Sequence, residues 1–263
     1  MDKNMPGSKS SLVDAHAHIC DPVFDKDRAE VLERAGKAGV VAIVAVGENL
    51  SDARKNLELA QTYPLLKPAA GLYPTVLDLT QAGEMAGFIR QNHSRLVGIG
   101  EVGLDYWMVK EEPERALQRE ILIQFIKLSK ELNLPLNIHS RSAGRHAVAL
   151  LLENNAARVQ MHAFDGKAAA ALPAVEAGYF FSIPPSVVRS RQKQKLVKRL
   201  PLACLLIETD SPVLGPNPDE RNEPANIRQS VKAIAALKDI SEEAVIDAVR
   251  ENTDKLYGKM SCS

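Results

Sequence analysis

With 263 residues, 45% of them hydrophobic and 25% charged, the chain has the make-up of one large folded α/β domain, not of a disordered or fibrous protein. Its 33 Lys and Arg balance its 33 Asp and Glu, so no global positive field draws in nucleic acid or an anionic membrane. The start MDKNMPGSKSS lacks the apolar core of a signal peptide, and no apolar run approaches the roughly 20 residues that span a bilayer.

Residues 1–10 read as a flexible segment, 11–258 as one domain and 259–263 as a tail. Short apolar, β-branched runs at 11–16, 40–46, 66–71, 96–101, 134–139, 158–163, 178–183 and 204–209 predict strands. Several are apolar along their whole length, as parallel strands covered on both faces are. Amphipathic stretches lie between them, clearest over 111–133, where Leu117, Ile121, Ile126 and Leu128 form an apolar stripe among charges. A last helix is expected over 241–258, with Ser241 at its start and Glu242 and Glu243 favoured by the helix dipole. Alternating strands and helices of this number and length predict a (β/α)8 TIM barrel, with a doubly wound open sheet as the rival. Cys20, Cys204 and Cys262 form neither a Cys-x-x-Cys pair nor an even disulfide set, so a reducing cytoplasmic or nuclear setting is expected.

The first strand ends in LVDAHAHIC, which holds His16 and His18. Side chains at i and i+2 of a strand share a side, so these imidazoles converge, with Asp14 expected beside them. Other metal-competent residues fall at later strand ends: Glu101 in GIGEVGLDY, His139 in LNIHSR, His162 in VQMHAFDG and Asp210 in IETDSP. In a barrel these ends ring one face, where barrel active sites lie. His93 and His146 fall in helical or connecting stretches and read as solvated.

Four imidazoles and two carboxylates exceed the needs of one tetrahedral zinc and suit two divalent ions with a bridging carboxylate. Glu101, on a middle strand, is the expected bridge. One ion then takes His16, His18 and Asp210, and the other takes His139 and His162. Imidazole with carboxylate favours zinc or manganese over magnesium, and a third ion can accompany substrate. Zinc lowers the pKa of bound water from 15.7 to about 7, which makes a hydrolytic nucleophile at neutral pH. Asp210 is then both ligand and proton acceptor, and Glu208 is a second general-base candidate or a buried supporting carboxylate. Arg141 and Arg145 can hold phosphate oxygens by forked donors, and Arg189 opens the basic, acid-free stretch RSRQKQKLVKR. Tyr106 and Trp107 offer rings on which an unpaired base can stack.

The motifs VDAHAHI, GIGEVGLDY, LPLNIHSR, HAFDG, ETDSP and RNEPANI resemble, in wording and order, those of TatD-type metal-dependent deoxyribonucleases. The likeness runs from residue 12 to about 257, and HSRSAGR and FFSIPPS are closest to a third TatD branch found in animals. It implies an amidohydrolase-like TIM barrel and metal-dependent hydrolysis of DNA, by 3′→5′ exonuclease action, abasic-site incision or both. It also implies single-stranded or damaged DNA as partner and the ligand set His16, His18, Glu101, His139, His162 and Asp210. A monomer is expected. Two departures bear on substrate: Ala163 and Asp165 in HAFDG, and the absence of an acid in HSRSAGR, where relatives carry one. An amidohydrolase or lactonase of the same fold, and a non-catalytic metal or nucleic-acid binding protein, stay open at this level.

Overall fold

Parallel strands need a covered crossover, and each predicted apolar run here is followed by one. In the computed structural model, which describes residues 11–260, the strands are β1 (Leu12–Ala17), β2 (Val40–Ala45), β3 (Leu66–Ala70), β4 (Gly98–Gly103), β5 (Leu136–His139), β6 (Val159–Met161), β7 (Phe180–Ile183) and β8 (Leu205–Ile207). They lie in the order β1 to β8, each parallel to its neighbour. The ring closes just past β8: His18 N donates to Ser211 O and Asp210 N to His16 O, both at 2.8 Å. The chain is a (β/α)8 barrel, and the open-sheet rival falls. The segment 1–10 and Cys262, expected to be flexible segment and tail, lie outside the described residues.

The helices are α1 (Arg28–Lys37), α2 (Leu50–Thr62), α3 (Leu79–Asn92), α4 (Glu112–Leu132), α5 (Gly144–Glu153), α6 (Ala168–Glu176), α7 (Arg191–Arg199), α8 (Ile227–Lys238) and α9 (Glu242–Tyr257). The buried face of α4 runs through Gln118, Ile121, Leu122, Phe125, Ile126, Leu128 and Ser129, so the predicted stripe is right at Ile121, Ile126 and Leu128, while Leu117 sits at its edge. Ser241 caps α9 by accepting from Ala244 N at 3.1 Å. Among the described residues no helix is long and apolar enough to cross a membrane.

Most of the core lies between the strands and the helices, where each fully buried Leu, Ile or Phe contributes roughly 1.5–3 kcal/mol. A second cluster fills the barrel: Val13, Ala15, Ala42, Val44, Val46, Ala69 and Leu206 meet Leu256, Tyr257 and Met260 from the far end of the chain. Tyr257 enters at the N-terminal end of the strands, beside Gly98 at the start of β4.

Two irregularities position the site. Against β2, the step from Ile43 to Ala45 is matched on β1 by Asp14 to Ala17, one residue more. Against β5, the step from Leu136 to Ile138 is matched on β4 by Ile99 to Val102, again one residue more. Such bulges re-aim side chains at barrel rims. They lie at His16 and at Glu101. The first also overturns the expected place of Asp14. Its strict alternation with His16 is broken, and its carboxylate accepts from Thr209 N at 2.8 Å and Thr209 Oγ1 at 2.5 Å instead. The extra residue also carries β4 on to Gly103, so Glu101 lies within the strand. Gly103 has φ 156°, and a Cβ there would stand 2.1 Å from His139 O, a packing that only glycine permits.

Candidate metal centre

Glu101 is the carboxylate around which the other candidates gather. Its Oε1 lies 2.6 Å from His139 Nδ1 and 2.7 Å from His162 Nε2. Its Oε2 lies 3.3 Å from His18 Nε2 and 3.8 Å from His16 Nε2. Asp210 Oδ1 faces the second pair, 3.4 Å from His16 Nε2 and 3.7 Å from His18 Nε2. The six residues picked out along the sequence are one cluster, with the two oxygens of Glu101 shared between two pairs of histidines. His93 and His146 are exposed and apart from it.

Groups behind the rings set which nitrogen each histidine presents. The Asn137 amide donates to Ala15 O at 3.1 Å, so its Oδ1 faces His16 Nδ1 at 2.8 Å and that nitrogen carries the proton. Once its second proton is displaced, His16 Nε2 turns a lone pair to the space between the carboxylates. The Asn137 amide also donates to Tyr257 Oη (3.3 Å), which donates to Gln160 Oε1 (2.6 Å), and Gln160 donates to Ser182 Oγ (2.8 Å). Ser182 in turn donates to Glu208 Oε2 at 2.5 Å. On the other side His139 Nε2 lies 3.1 Å from Asp105 Oδ2, whose second oxygen accepts from Trp107 N and Met108 N at 2.9 and 2.8 Å.

These donors fit a divalent cation. Lone pairs and carboxylates share one buried space, with His16 at 0% and Glu101 at 2% exposure, and they repel unless positive charge lies among them. With protons as the only cations, burial pulls the His16 pKa down, but the Asp210 hydrogen bond and the Glu101 charge outweigh it and lift it to about 10. His139 is likewise lifted to about 9 against its burial, chiefly by the Glu101 charge. His162 drops to about 4 through burial and the nearby His16 charge, and stays neutral. Burial works against the Glu101 carboxylate, but the close His162 and His139 ring nitrogens, His139 with its charge, hold it well below its ordinary value.

Above the cluster opens a pocket of about 530 Å³, lined by His18, Glu101, His139, His162 and Asp210, and further out by Glu48, Tyr73, Arg141 and Lys193. Sequence reasoning placed several neighbours differently. Glu208 does not line the pocket; it is fully buried, accepts from Ala163 N at 2.7 Å and stands 4.0 Å behind His162 Nδ1, which makes no hydrogen bond. Tyr106 is 8% exposed and packed under the Arg115 guanidinium, its hydroxyl 3.2 Å from Arg119, so its ring has no free face for a base. Trp107, 54% exposed, holds that place, with Arg141 and Lys110 near its ring. Arg189 is exposed and donates to Gly215 O, and Arg145 lines a smaller neighbouring hollow. Arg141 alone of the predicted arginines lines the main pocket. Asp165 lines it too, and its carboxylate accepts from Ser142 N at 2.7 Å, tying two loops together instead of capping α6.

Sequence reasoning missed Asp105, Asn137 and Lys193. Asp105 stands in the quoted GIGEVGLDY without a spacing rule to single it out, and Asn137 precedes His139 at i and i+2 on the same strand. Asp105→Ala is expected to cost about 10–100-fold in metal affinity by freeing the His139 ring. Competition with a chromogenic chelator measures it, and an unchanged affinity would remove Asp105 from the design.

The TatD related DNase family matches residues 13–258. The deoxyribonuclease TATDN3 of Homo sapiens is 46% identical over 264 residues, covering 95% of each chain. The uncharacterised metal-dependent hydrolase YabD of Bacillus subtilis is 34% identical, covering 94% of this chain and 98% of its own. Among solved structures, the TatD homologue YJJV of Escherichia coli superposes with a TM-score of 0.88 at 26% identity, covering 96% of this chain and 100% of that one. A phosphotriesterase homology protein of Escherichia coli shares the fold, with a TM-score of 0.71 at 14% identity over 95% of this chain and 99% of its own. The barrel, the shared carboxylate and the end-to-end sequence match lead to one assignment: this chain belongs to the TatD-related deoxyribonuclease family.

Proposed function

We propose that the chain hydrolyses phosphodiester bonds of DNA with two divalent ions, one held by His16, His18 and Asp210 and the other by His139 and His162, with Glu101 between them. The observation that carries this reading is the split of Glu101, each oxygen facing its own pair of histidines. Imidazole-rich sets of this kind favour zinc, with manganese next. When bound, such ions supply a water acidic enough to attack at neutral pH and neutralise charge on the phosphate. Asn137 and Asp105 hold His16 and His139 in their presenting orientations, and Glu208 backs His162. Asp210, on the pocket wall, is the carboxylate that takes the proton of the attacking water. Arg141 meets a nonbridging phosphate oxygen.

Single-stranded or damaged DNA suits the rim. Trp107, Met108, Val188 and Val213 are exposed on the loops after β4, β7 and β8, and a splayed base can lie on such a surface where a stacked duplex cannot. The test is 5′-labelled single-stranded DNA with one abasic site, incubated with metal-loaded protein and with chelator controls. A metal-dependent ladder shortening from the 3′ end identifies an exonuclease, and a lone band at the lesion identifies incision there. Intact DNA with metal bound would overturn the nuclease reading in favour of another ester substrate.

A further inference from the structure

The helix α7 is rich in base and largely turned to solvent: Arg191, Lys195, Lys198 and Arg199 are all exposed. Lys193 is not. It lies on the inner face with Leu196 and Val197, is 9% exposed, and lines the pocket above Glu101. A lysine with a choice lets its ammonium snorkel to water, and this one holds its ammonium inside. An ammonium has three donors. Among the described residues the Lys193 Nζ meets one acceptor, Ala163 O at 3.0 Å, and has no carboxylate within ion-pair distance. Glu208, Asp210 and Asp165 reach it only through their longer-range charge.

The placement is built, not incidental. Ser190 caps the first turn of α7 by accepting from Lys193 N at 3.3 Å. Gln192 donates to Phe164 O at 3.2 Å and to Gly166 O at 2.6 Å, fastening that turn to the loop after β6. A second group in the same pocket has no partner at all: Ser140, directly after His139, is 2% exposed and its hydroxyl makes no hydrogen bond. Buried donors without acceptors are costly unless a ligand supplies the acceptors.

We propose that Lys193 Nζ and Ser140 Oγ form an oxyanion subsite that holds a nonbridging oxygen of the bound phosphodiester, independently of the metal ligands. This rests on the phosphodiesterase reading above. The subsite grips the phosphate from the protein side, so the ester is oriented before and after the bond is cut.

The test compares metal-loaded wild type with Lys193→Gln, Lys193→Arg and Ser140→Ala, using inorganic phosphate as inhibitor and oligothymidylate as substrate. Glutamine keeps an amide donor for Ala163 O, so metal content and Tm are expected to stay at wild-type values. Loss of the charge is expected to raise the phosphate inhibition constant and lower kcat/KM by about 10–100-fold. The slope of log(kcat/KM) against log salt is expected to shrink by about 0.7, the share of one phosphate contact on a single strand. Arginine restores most of both losses, and Ser140→Ala costs roughly two- to tenfold. A glutamine variant with wild-type inhibition and slope, in an enzyme that cleaves DNA, overturns the subsite and leaves the nuclease standing. A wild type that neither cleaves oligothymidylate nor responds to phosphate overturns both.

Discussion

Glu101→Ala is expected to lose at least about 10³-fold in kcat, about 4 kcal/mol of transition-state stabilisation. Both pairs of histidines face this one carboxylate, and its removal leaves Asp210, among the described residues that line the pocket, as the carboxylate within 4.0 Å of their nitrogens, and of one pair alone. The variant is expected to bind less than the full metal complement, read by elemental analysis beside a turnover assay on single-stranded DNA. Glu101→Gln separates charge from shape: it fills the same space, yet offers one oxygen where two are used. Full activity in either variant would end the two-ion scheme.

Stripping the metals is the second large effect, and its sign with pH follows from the site. At pH 7 His16, lifted to about 10, and His139, lifted to about 9, each hold a proton where an ion needs a lone pair. His18 is raised as well, its Glu101 hydrogen bond outweighing burial. Metal uptake is therefore expected to expel at least two protons near pH 7, and apparent affinity to rise with pH until those groups are deprotonated. Calorimetry in buffers of different ionisation enthalpy counts the protons, and a count of zero would contradict this arrangement. For the stripped protein, groups with raised pKa give stability that is complete below their unfolded value of about 6.5. That stability fades as pH climbs through 9 to 10. The metal-loaded protein does not depend on those protons, so the Tm gap between the two forms should widen on the alkaline side. At free metal a hundredfold above Kd, each ion adds about 2.7 kcal/mol, or roughly 5–10 °C in a chain of this size.

Much of this centre was legible in the sequence because strand periodicity and residue chemistry act locally. Most of the eight strands stand out as short apolar runs, and the six clustered residues fall at or near their C-terminal ends. The failures are all tertiary. Asp14 was misplaced because a one-residue bulge leaves no mark in a strand whose neighbours are Val13 and Ala15, small apolar residues that suit either face. Tyr106 and Trp107 are adjacent aromatics, and what buries one and exposes the other is α4, which supplies Arg115 and Arg119 around the tyrosine. Barrel closure depends on hydrogen bonds between residues almost 200 positions apart, which no local pattern encodes. Lys193 was readable in part: it precedes Leu196 and Val197 by three and four places, the spacing of one helical face. The basic residues around it masked that signal.

The polar thread from Tyr257 through Asn137 to His16 has a consequence for how the protein is made. His16 emerges from the ribosome among the first residues, but the hydroxyl that braces its support belongs to α9, some 240 positions later. A nascent chain that has completed β8 carries every candidate ligand except Asp210 and still lacks the tyrosine that stoppers the barrel. Release of residue 257 is thus the step that completes the site, and shorter nascent forms hold the histidines without the brace. A chain halted before α9 is left with an open barrel floor for chaperones and proteases to recognise.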